Sequence, residues 1–170
     1  MTSAIVNTTY GLVNGSVISL KTNKTVIKYL GIPYARAERF EYPVPPERWT
    51  SILQANKIDK ICPQPNLPPN KQSLADENCL FLNVYVPANK SQNSSLSVMF
   101  WIHGGAFSLG DTLGYDGSVL ATEGNVIIVT VGYRLGVLGF LSASNDSLKG
   151  NFGLMDQLEA LKWVNQNIAR

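Results

Sequence analysis

The chain has 170 residues, 45% hydrophobic and 15% charged, with 14 Lys and Arg against 12 Asp and Glu and a formal net charge of +2. That length supports one well-buried core, and the scattered basic residues, with no aromatics interleaved among them, give no sign of a nucleic-acid partner. The longest apolar run, around Val126 to Val131, soon gives way to Tyr133-Arg134, far short of the roughly 20 apolar residues of a membrane span, so none is expected.

Met1 to Leu20 has neither the basic start nor the apolar core of a secretory leader. Short β-rich runs follow one another there: Ala4 to Thr8, Tyr10 to Val13, Val17 to Leu20 and Val26 to Ile32. Asn14-Gly15 predicts a hairpin turn, and Asn23 a second break. Pro33 to about Asp76 is proline-rich and aperiodic, the mark of a functional or covering segment rather than core. Cys79 to Val86 returns to strand, with Leu80, Leu82 and Val84 on one face. The polar linker Pro87 to Ser95 leads into a predicted strand, Leu96 to Ile102. Val126 to Val131 is a continuous β-branched run, as in a strand buried on both faces of a largely parallel sheet. Leu154, Leu158, Leu161, Val164 and Ile168 recur at helical spacing, predicting an amphipathic helix from about Phe152 to Ile168. Strand, glycine loop, strand and helix make an α/β protein, and no repeat is present. No strand follows the last helix, so the sheet is expected to be incomplete.

Two features speak to the compartment. Six Asn-x-Ser/Thr sequons occur, at Asn7, Asn14, Asn23, Asn89, Asn93 and Asn145, where chance gives about two. The Ser/Asn-rich stretch Asn89 to Ser97 inflates that count. The excess points to the secretory pathway with a leader outside these residues; a cytoplasmic location is the alternative. Cys62 and Cys79 are the two cysteines, too few with one histidine for a zinc site. They are either two reduced thiols or a bridge, which would be worth about 3 kcal/mol. The loop between them, with Pro63, Pro65, Pro68 and Pro69 and little apolar surface, favours the bridge.

The chemistry concentrates in Val98-Met99-Phe100-Trp101-Ile102-His103-Gly104-Gly105-Ala106-Phe107. An apolar run that reads as a buried strand ends abruptly in His-Gly-Gly, where glycines let the backbone turn sharply and leave its N–H groups uncovered. Donors held this way serve acyl transfer by meeting a developing oxyanion.

Many ordered segments then carry a resemblance to the N-terminal part of type-B carboxylesterases and cholinesterases. They run from Tyr10-Gly11-Leu12-Val13 to Leu161-Lys162-Trp163-Val164. Between them lie Leu30-Gly31-Ile32-Pro33-Tyr34-Ala35, Arg39-Phe40, Pro45-Pro46-Glu47-Arg48-Trp49 and Glu77-Asn78-Cys79-Leu80-Phe81-Leu82-Asn83-Val84. Past the His103-Gly104-Gly105 loop come Gly132-Tyr133-Arg134-Leu135-Gly136, Gly139-Phe140-Leu141-Ser142 and Asn151-Phe152-Gly153-Leu154-Met155-Asp156-Gln157. The resemblance implies the N-terminal part of an α/β-hydrolase fold. Its sheet would be mixed and mostly parallel, preceded by a small antiparallel N-terminal sheet. The chain, 1–170, would be a single truncated domain. It also implies that Cys62–Cys79 is the family's first disulfide, that Arg39 and Glu77 form a structural ion pair, and that Gly105 and Ala106 are oxyanion donors. His103 and Gly104 would set the loop's geometry. The implied substrate is a small carboxylic ester, with no cofactor and no metal.

Three departures stand out. Asn78 and Gly132 replace the family's usual Asp and Asn, which touches local hydrogen bonding. The Cys62–Cys79 loop holds no aromatic residue. Cholinesterases use one there to hold a quaternary ammonium by cation–π attraction, so a general carboxylesterase is the nearer resemblance.

The catalytic triad is missing from these residues. No Gly-x-Ser-x-Gly elbow occurs, and its nearest imitation, Ala106-Phe107-Ser108-Leu109-Gly110, runs into a loop instead of a helix. The one histidine, His103, sits inside the glycine loop and is read as structural. Asp156 and Glu159 are read as a helix-start charge and a solvated residue, Trp163 as core, and Tyr115-Asp116-Gly117 as a turn holding the loop. The chain alone is therefore expected to be inactive. A non-catalytic, cholinesterase-like adhesion or binding protein and an inactive truncated fragment are the competing readings, since fold alone does not establish activity.

Overall fold

A computed structural model describes residues 3–88, 95–143 and 148–169. In chain order the elements are β1 (Ser3–Thr8), β2 (Gly11–Ser19), β3 (Thr25–Pro33), β4 (Leu53–Gln54) and α1 (Pro69–Gln72). Then come β5 (Phe81–Pro87), β6 (Val98–Ile102), α2 (Ser118–Gly124), β7 (Ile127–Val131), α3 (Gly136–Phe140) and α4 (Phe152–Asn167). The strands form one mixed sheet in the order β1-β2-β3-β5-β7-β6, with β4 beside β2. The N-terminal strands do not stand apart as a small sheet; β3 pairs with β5 and makes them continuous with the rest. Among the described residues β6–β7 and β2–β4 are parallel and the other named pairs antiparallel. The parallel pair β6–β7 needs a crossover, and α2 supplies it.

The first hairpin turns at Thr8–Gly11, not at Asn14-Gly15. Thr8 Oγ1 accepts the N–H groups of Tyr10 (3.1 Å) and Gly11 (3.2 Å), and Gly11 takes φ 142°. Asn14 and Gly15 lie within β2, opposite Ile5 and Ala4. A Cβ on Gly15 would come within 2.6 Å of the Lys28 carbonyl and the Tyr29 ring, so close approach of β3 explains the glycine. Asn14 donates its amide to Gln54 Oε1 (2.9 Å). The predicted break at Asn23 is present, in left-handed backbone at φ 59° between β2 and β3.

The centre of the sheet is built for burial on both faces. All five residues of β7 are buried. Ile127, Val129 and Val131 pack with Leu82, Val84 and Trp163, while Ile128 joins Tyr85 and Ala121 of α2 in a second cluster. The β-branched run therefore marks a doubly covered strand as expected, although its β5 neighbour is antiparallel. Asn83, buried in β5, has both amide atoms engaged: its Oδ1 accepts the Gly31 N–H (2.8 Å) and its Nδ2 donates to Thr130 Oγ1 (2.9 Å). Gly31 lies in the β3 irregularity between Tyr29 and Ile32, which takes its N–H off the ladder.

Helix α4 matches the predicted extent within a residue, but not the predicted face. Leu154, Leu158 and Leu161 are 41–45% exposed, while Phe152, Asp156, Ala160, Trp163, Val164 and Asn167 point inward. Trp163 is core, as read. Asp156 is not a helix-start charge: its carboxylate is wholly buried against Arg134. Arg134 donates Nη2–H to Oδ1 (2.7 Å) and Nε–H to Oδ2 (2.9 Å), and its own backbone N–H reaches Oδ2 (3.0 Å). Its Nη1 reaches the carbonyls of Glu41 (2.8 Å) and Glu38 (3.3 Å), and the guanidinium lies 5.5 Å from the Phe152 ring centre. Burial pushes the Asp156 carboxyl above its ordinary pKa, and the bonds from Arg134 pull against that rise. Glu159 is not the solvated residue expected either: its side chain is only 15% exposed and accepts from the exposed Lys162 at 2.9 Å.

Leaving Arg134 buried without its anion costs more than deleting both charges. Asp156→Ala is expected to lower the unfolding free energy by about 3–5 kcal/mol. The double change Arg134→Met/Asp156→Leu should lose clearly less. Urea unfolding of the variants checks this, and equal losses would contradict it.

Candidate functional site

The parallel register of β6 and β7 sets Ile102 opposite Val131, so the residues that follow each strand meet just past the end of the pair. His103 leaves β6 with its ring buried, 3% exposed, and stacked on Tyr133 with centroids 4.5 Å apart. The Tyr133 hydroxyl donates to the His103 carbonyl (2.8 Å). His103 Nδ1 lies 3.0 Å from the Gly104 carbonyl, an arrangement that suits a neutral ring with its proton on Nδ1. Burial holds the imidazole below its ordinary value of 6.5.

Beyond it the backbone turns over. Gly105 has φ 120°, Ala106 53° and Phe107 58°. A Cβ on Gly105 would sit 1.8 Å from the Leu109 carbonyl oxygen, so no side chain fits there. The Gly105 carbonyl accepts the N–H groups of Ser108 (3.0 Å) and Leu109 (3.1 Å). Among the described residues, nothing accepts the N–H of Gly105 or of Ala106.

Several contacts fix this turn. Gly136 donates its N–H to the Phe107 carbonyl (2.7 Å), and the Phe107 ring packs on Phe140 at 4.8 Å. The Cys62–Cys79 disulfide is formed, with Cα atoms 4.9 Å apart. Two residues after Cys62, Gln64 Nε2 donates to the Gly110 carbonyl (2.8 Å) and its Oε1 accepts the Gly110 N–H (2.8 Å). Lys71 pairs with Asp111 at 2.7 Å. Gln64 was not singled out by the sequence, and Gly110 only as the end of the imitation elbow. The only available signal was a polar side chain beside a cysteine in a loop otherwise rich in proline.

The remaining candidates fall elsewhere. Ser108 lies in the turn, and its Oγ donates to the Ala106 carbonyl (3.2 Å) while the His103 ring is engaged by Gly104. That is neither the strand–turn–helix setting nor the base contact of a nucleophile. Asp116 accepts from Ser118 N–H (2.8 Å) and pairs with Lys28 of β3 at 2.6 Å. It thus ties the start of α2 to β3, and Tyr115 packs on Trp101 of β6 (5.5 Å). Arg39 pairs with Glu77 (Nε to Oε2, 3.0 Å), and this bond holds the exposed Glu77 carboxyl below its ordinary value. Asn78 donates its N–H to Asp76 Oδ1 (2.8 Å), and the Gly132 carbonyl accepts the Tyr34 hydroxyl (2.7 Å). Among the sequons, Asn7 and Asn23 are exposed, whereas Asn14 is half-buried in β2 with its amide engaged. Asn89, Asn93 and Asn145 lie outside the described residues.

A histidine kept neutral by burial stabilises the fold above its unfolded pKa, and that contribution is lost as pH falls from about 6.5 toward the lower folded value. The stability difference between the wild type and His103→Phe should therefore shrink on acidification below 6.5. Urea titrations at a series of pH values measure it; a difference independent of pH would contradict the buried neutral ring.

The sequence and fold match known proteins along nearly their whole extent. The model of the carboxylesterase family matches residues 2–170. Para-nitrobenzyl esterase of Bacillus subtilis is 47% identical over 99% of this chain and 36% of its own length. Acylcarnitine hydrolase of Mus musculus is 41% identical over 96% of the chain and 32% of its own length. Human cocaine esterase is 40% identical over 98% and 33%. A solved structure of PNB esterase superposes with a TM-score of 0.86 at 47% identity, covering 99% of this chain and 35% of that one. The chain thus spans about a third of the length of the relatives it matches. With the buried His103, the turned glycine loop and the mixed sheet beneath them, it belongs to the carboxylesterase family.

Proposed function

We propose that these residues supply the oxyanion-binding half of a serine carboxylic ester hydrolase. The observation that carries the reading is the pair of N–H groups at Gly105 and Ala106, left without acceptors on a turn that other contacts hold in place. In ester hydrolysis a serine oxygen attacks the carbonyl carbon, and the C=O electron pair moves onto oxygen. Donors already in position stabilise that charge without reorganising. Collapse of the intermediate expels the alcohol and leaves an acyl-serine, which water then cleaves. The nucleophile, its base and the orienting acid would come from chain beyond these residues. Alanine at 106 keeps the backbone donor and adds only a methyl. The names of the relatives, para-nitrobenzyl esterase and cocaine esterase among them, favour the enzyme over the adhesion alternative.

The substrate we infer is a small carboxylic ester other than a choline ester. An open groove of about 490 Å³ runs between the disulfide loop and Leu109–Asp111. The disulfide loop lends it Gln64, Pro65, Asn66, Leu67, Pro68 and Lys71, none of them the loop aromatic that would hold a quaternary ammonium; its one aromatic wall, Tyr115, comes from the segment before α2. A disulfide together with exposed sequons at Asn7 and Asn23 supports passage through the secretory pathway. No helix among the described residues is long and apolar enough to cross a membrane.

Replacing the amide at Ala106 by an ester linkage removes its N–H and leaves the side chain alone. In the protein at its full natural length, kcat for p-nitrophenyl butyrate is expected to fall roughly 100- to 1000-fold, while Ala106→Gly keeps activity. An unchanged kcat after the amide-to-ester replacement would refute the assignment.

A further inference from the structure

We propose that Gln64 is a positioning residue for ester hydrolysis, acting through Gly110 on the donors at Gly105 and Ala106; this rests on the oxyanion reading above. Each polar atom of the Gln64 carboxamide is committed. Nε2 donates to the Gly110 carbonyl (2.8 Å) and to the Cys62 carbonyl (3.1 Å), and Oε1 accepts the Gly110 N–H (2.8 Å). The pair with Gly110 is reciprocal, so it fixes both the place and the tilt of that peptide. The third bond ties the same carboxamide to a disulfide-linked residue, which gives the clasp a fixed base.

Gly110 passes this constraint on in two directions. It takes φ 128°, and a Cβ there would lie 2.3 Å from His103 Nδ1 and 2.6 Å from the Gly104 carbonyl. The Gly110 backbone therefore closes directly on the root of the loop. Its neighbour Leu109 stands with its carbonyl against Gly105, where a Cβ would meet it at 1.8 Å, and its N–H bonds the Gly105 carbonyl (3.1 Å). Releasing Gly110 would free the return strand of the loop on which Gly105 rests. Misplacement by about an ångström is enough to weaken catalysis by orders of magnitude. Gln64 would not touch the substrate; its effect would run through the geometry of the loop.

The comparison is among Gln64→Ala, Gln64→Glu and Gln72→Ala in the protein at full natural length. Gln64→Glu keeps the volume but loses both donated bonds and sets a carboxylate against two carbonyls. Gln72 donates to the Leu67 carbonyl (3.2 Å) within the same loop and does not bond to Gly110, so it controls for general loosening. Both Gln64 variants are expected to raise amide hydrogen exchange across 103–110 at least about tenfold. They should also lower kcat for p-nitrophenyl butyrate roughly 10- to 100-fold, with KM within about twofold. Gln72→Ala should change neither. If Gln64→Ala fails to fold, Gln64→Glu decides. Exchange and kcat at wild-type values in the Gln64 variants, or losses matched by Gln72→Ala, would overturn the proposal. Faster exchange with unchanged kcat would overturn the catalytic role of the clasp as well, while the oxyanion reading itself is decided separately by the amide-to-ester replacement at Ala106.

Discussion

Three successive residues with positive φ, Gly105 to Phe107, are the constraint around which this structure is arranged. Glycine accepts such backbone freely, but Ala106 and Phe107 each give up about 1–2 kcal/mol to it. A turn of that kind persists only where its surroundings over-determine it. Here they do so from three sides: Tyr133 and His103 beneath, Gly136 and Phe140 beside, and Gln64 on the returning limb. Strain and a free N–H group meet at Ala106, with the second donor just before it at Gly105.

The clamps depend in turn on the sheet. His103 meets Tyr133 because β6 and β7 run parallel in a register that ends them together. One residue beyond Tyr133, Arg134 turns away and is held by Asp156 of α4. The same guanidinium reaches the carbonyls of Glu38 and Glu41, so one buried cation ties the long irregular segment to the helix. A buried ion pair is weak evidence of net stability, because both charges lose water. It lies on the inward face of α4, beside Phe152, Ala160 and Trp163. Leu154, Leu158 and Leu161 lie on the opposite, outward side of the helix despite their helical spacing.

Legibility in the sequence followed the range of each interaction. Strand β7 and helix α4 were readable in extent because local periodicity and β-branching encode them. The face of α4 was not, because Asp156 reads as surface until Arg134 is known to lie beside it. Asn14-Gly15 carried the local signature of a turn, yet its glycine answers to the approach of Tyr29 from the next strand. The His-Gly-Gly loop was legible as a candidate site because glycine there has a direct backbone meaning. Its support from Gln64, 46 residues before Gly110, was not, since nothing local marks a glutamine as a clasp. The resemblance implied the disulfide and the Arg39–Glu77 pair, and both are formed.

The central claim concerns two backbone donors, and nuclear magnetic resonance observes them directly. In isotope-labelled protein at full natural length, addition of the serine oxygen to the carbonyl carbon of a trifluoromethyl ketone, which turns that carbonyl into a tetrahedral oxyanion, should move the Gly105 and Ala106 amide protons downfield together. Binding of that ketone with both resonances unmoved would contradict their assignment as oxyanion donors.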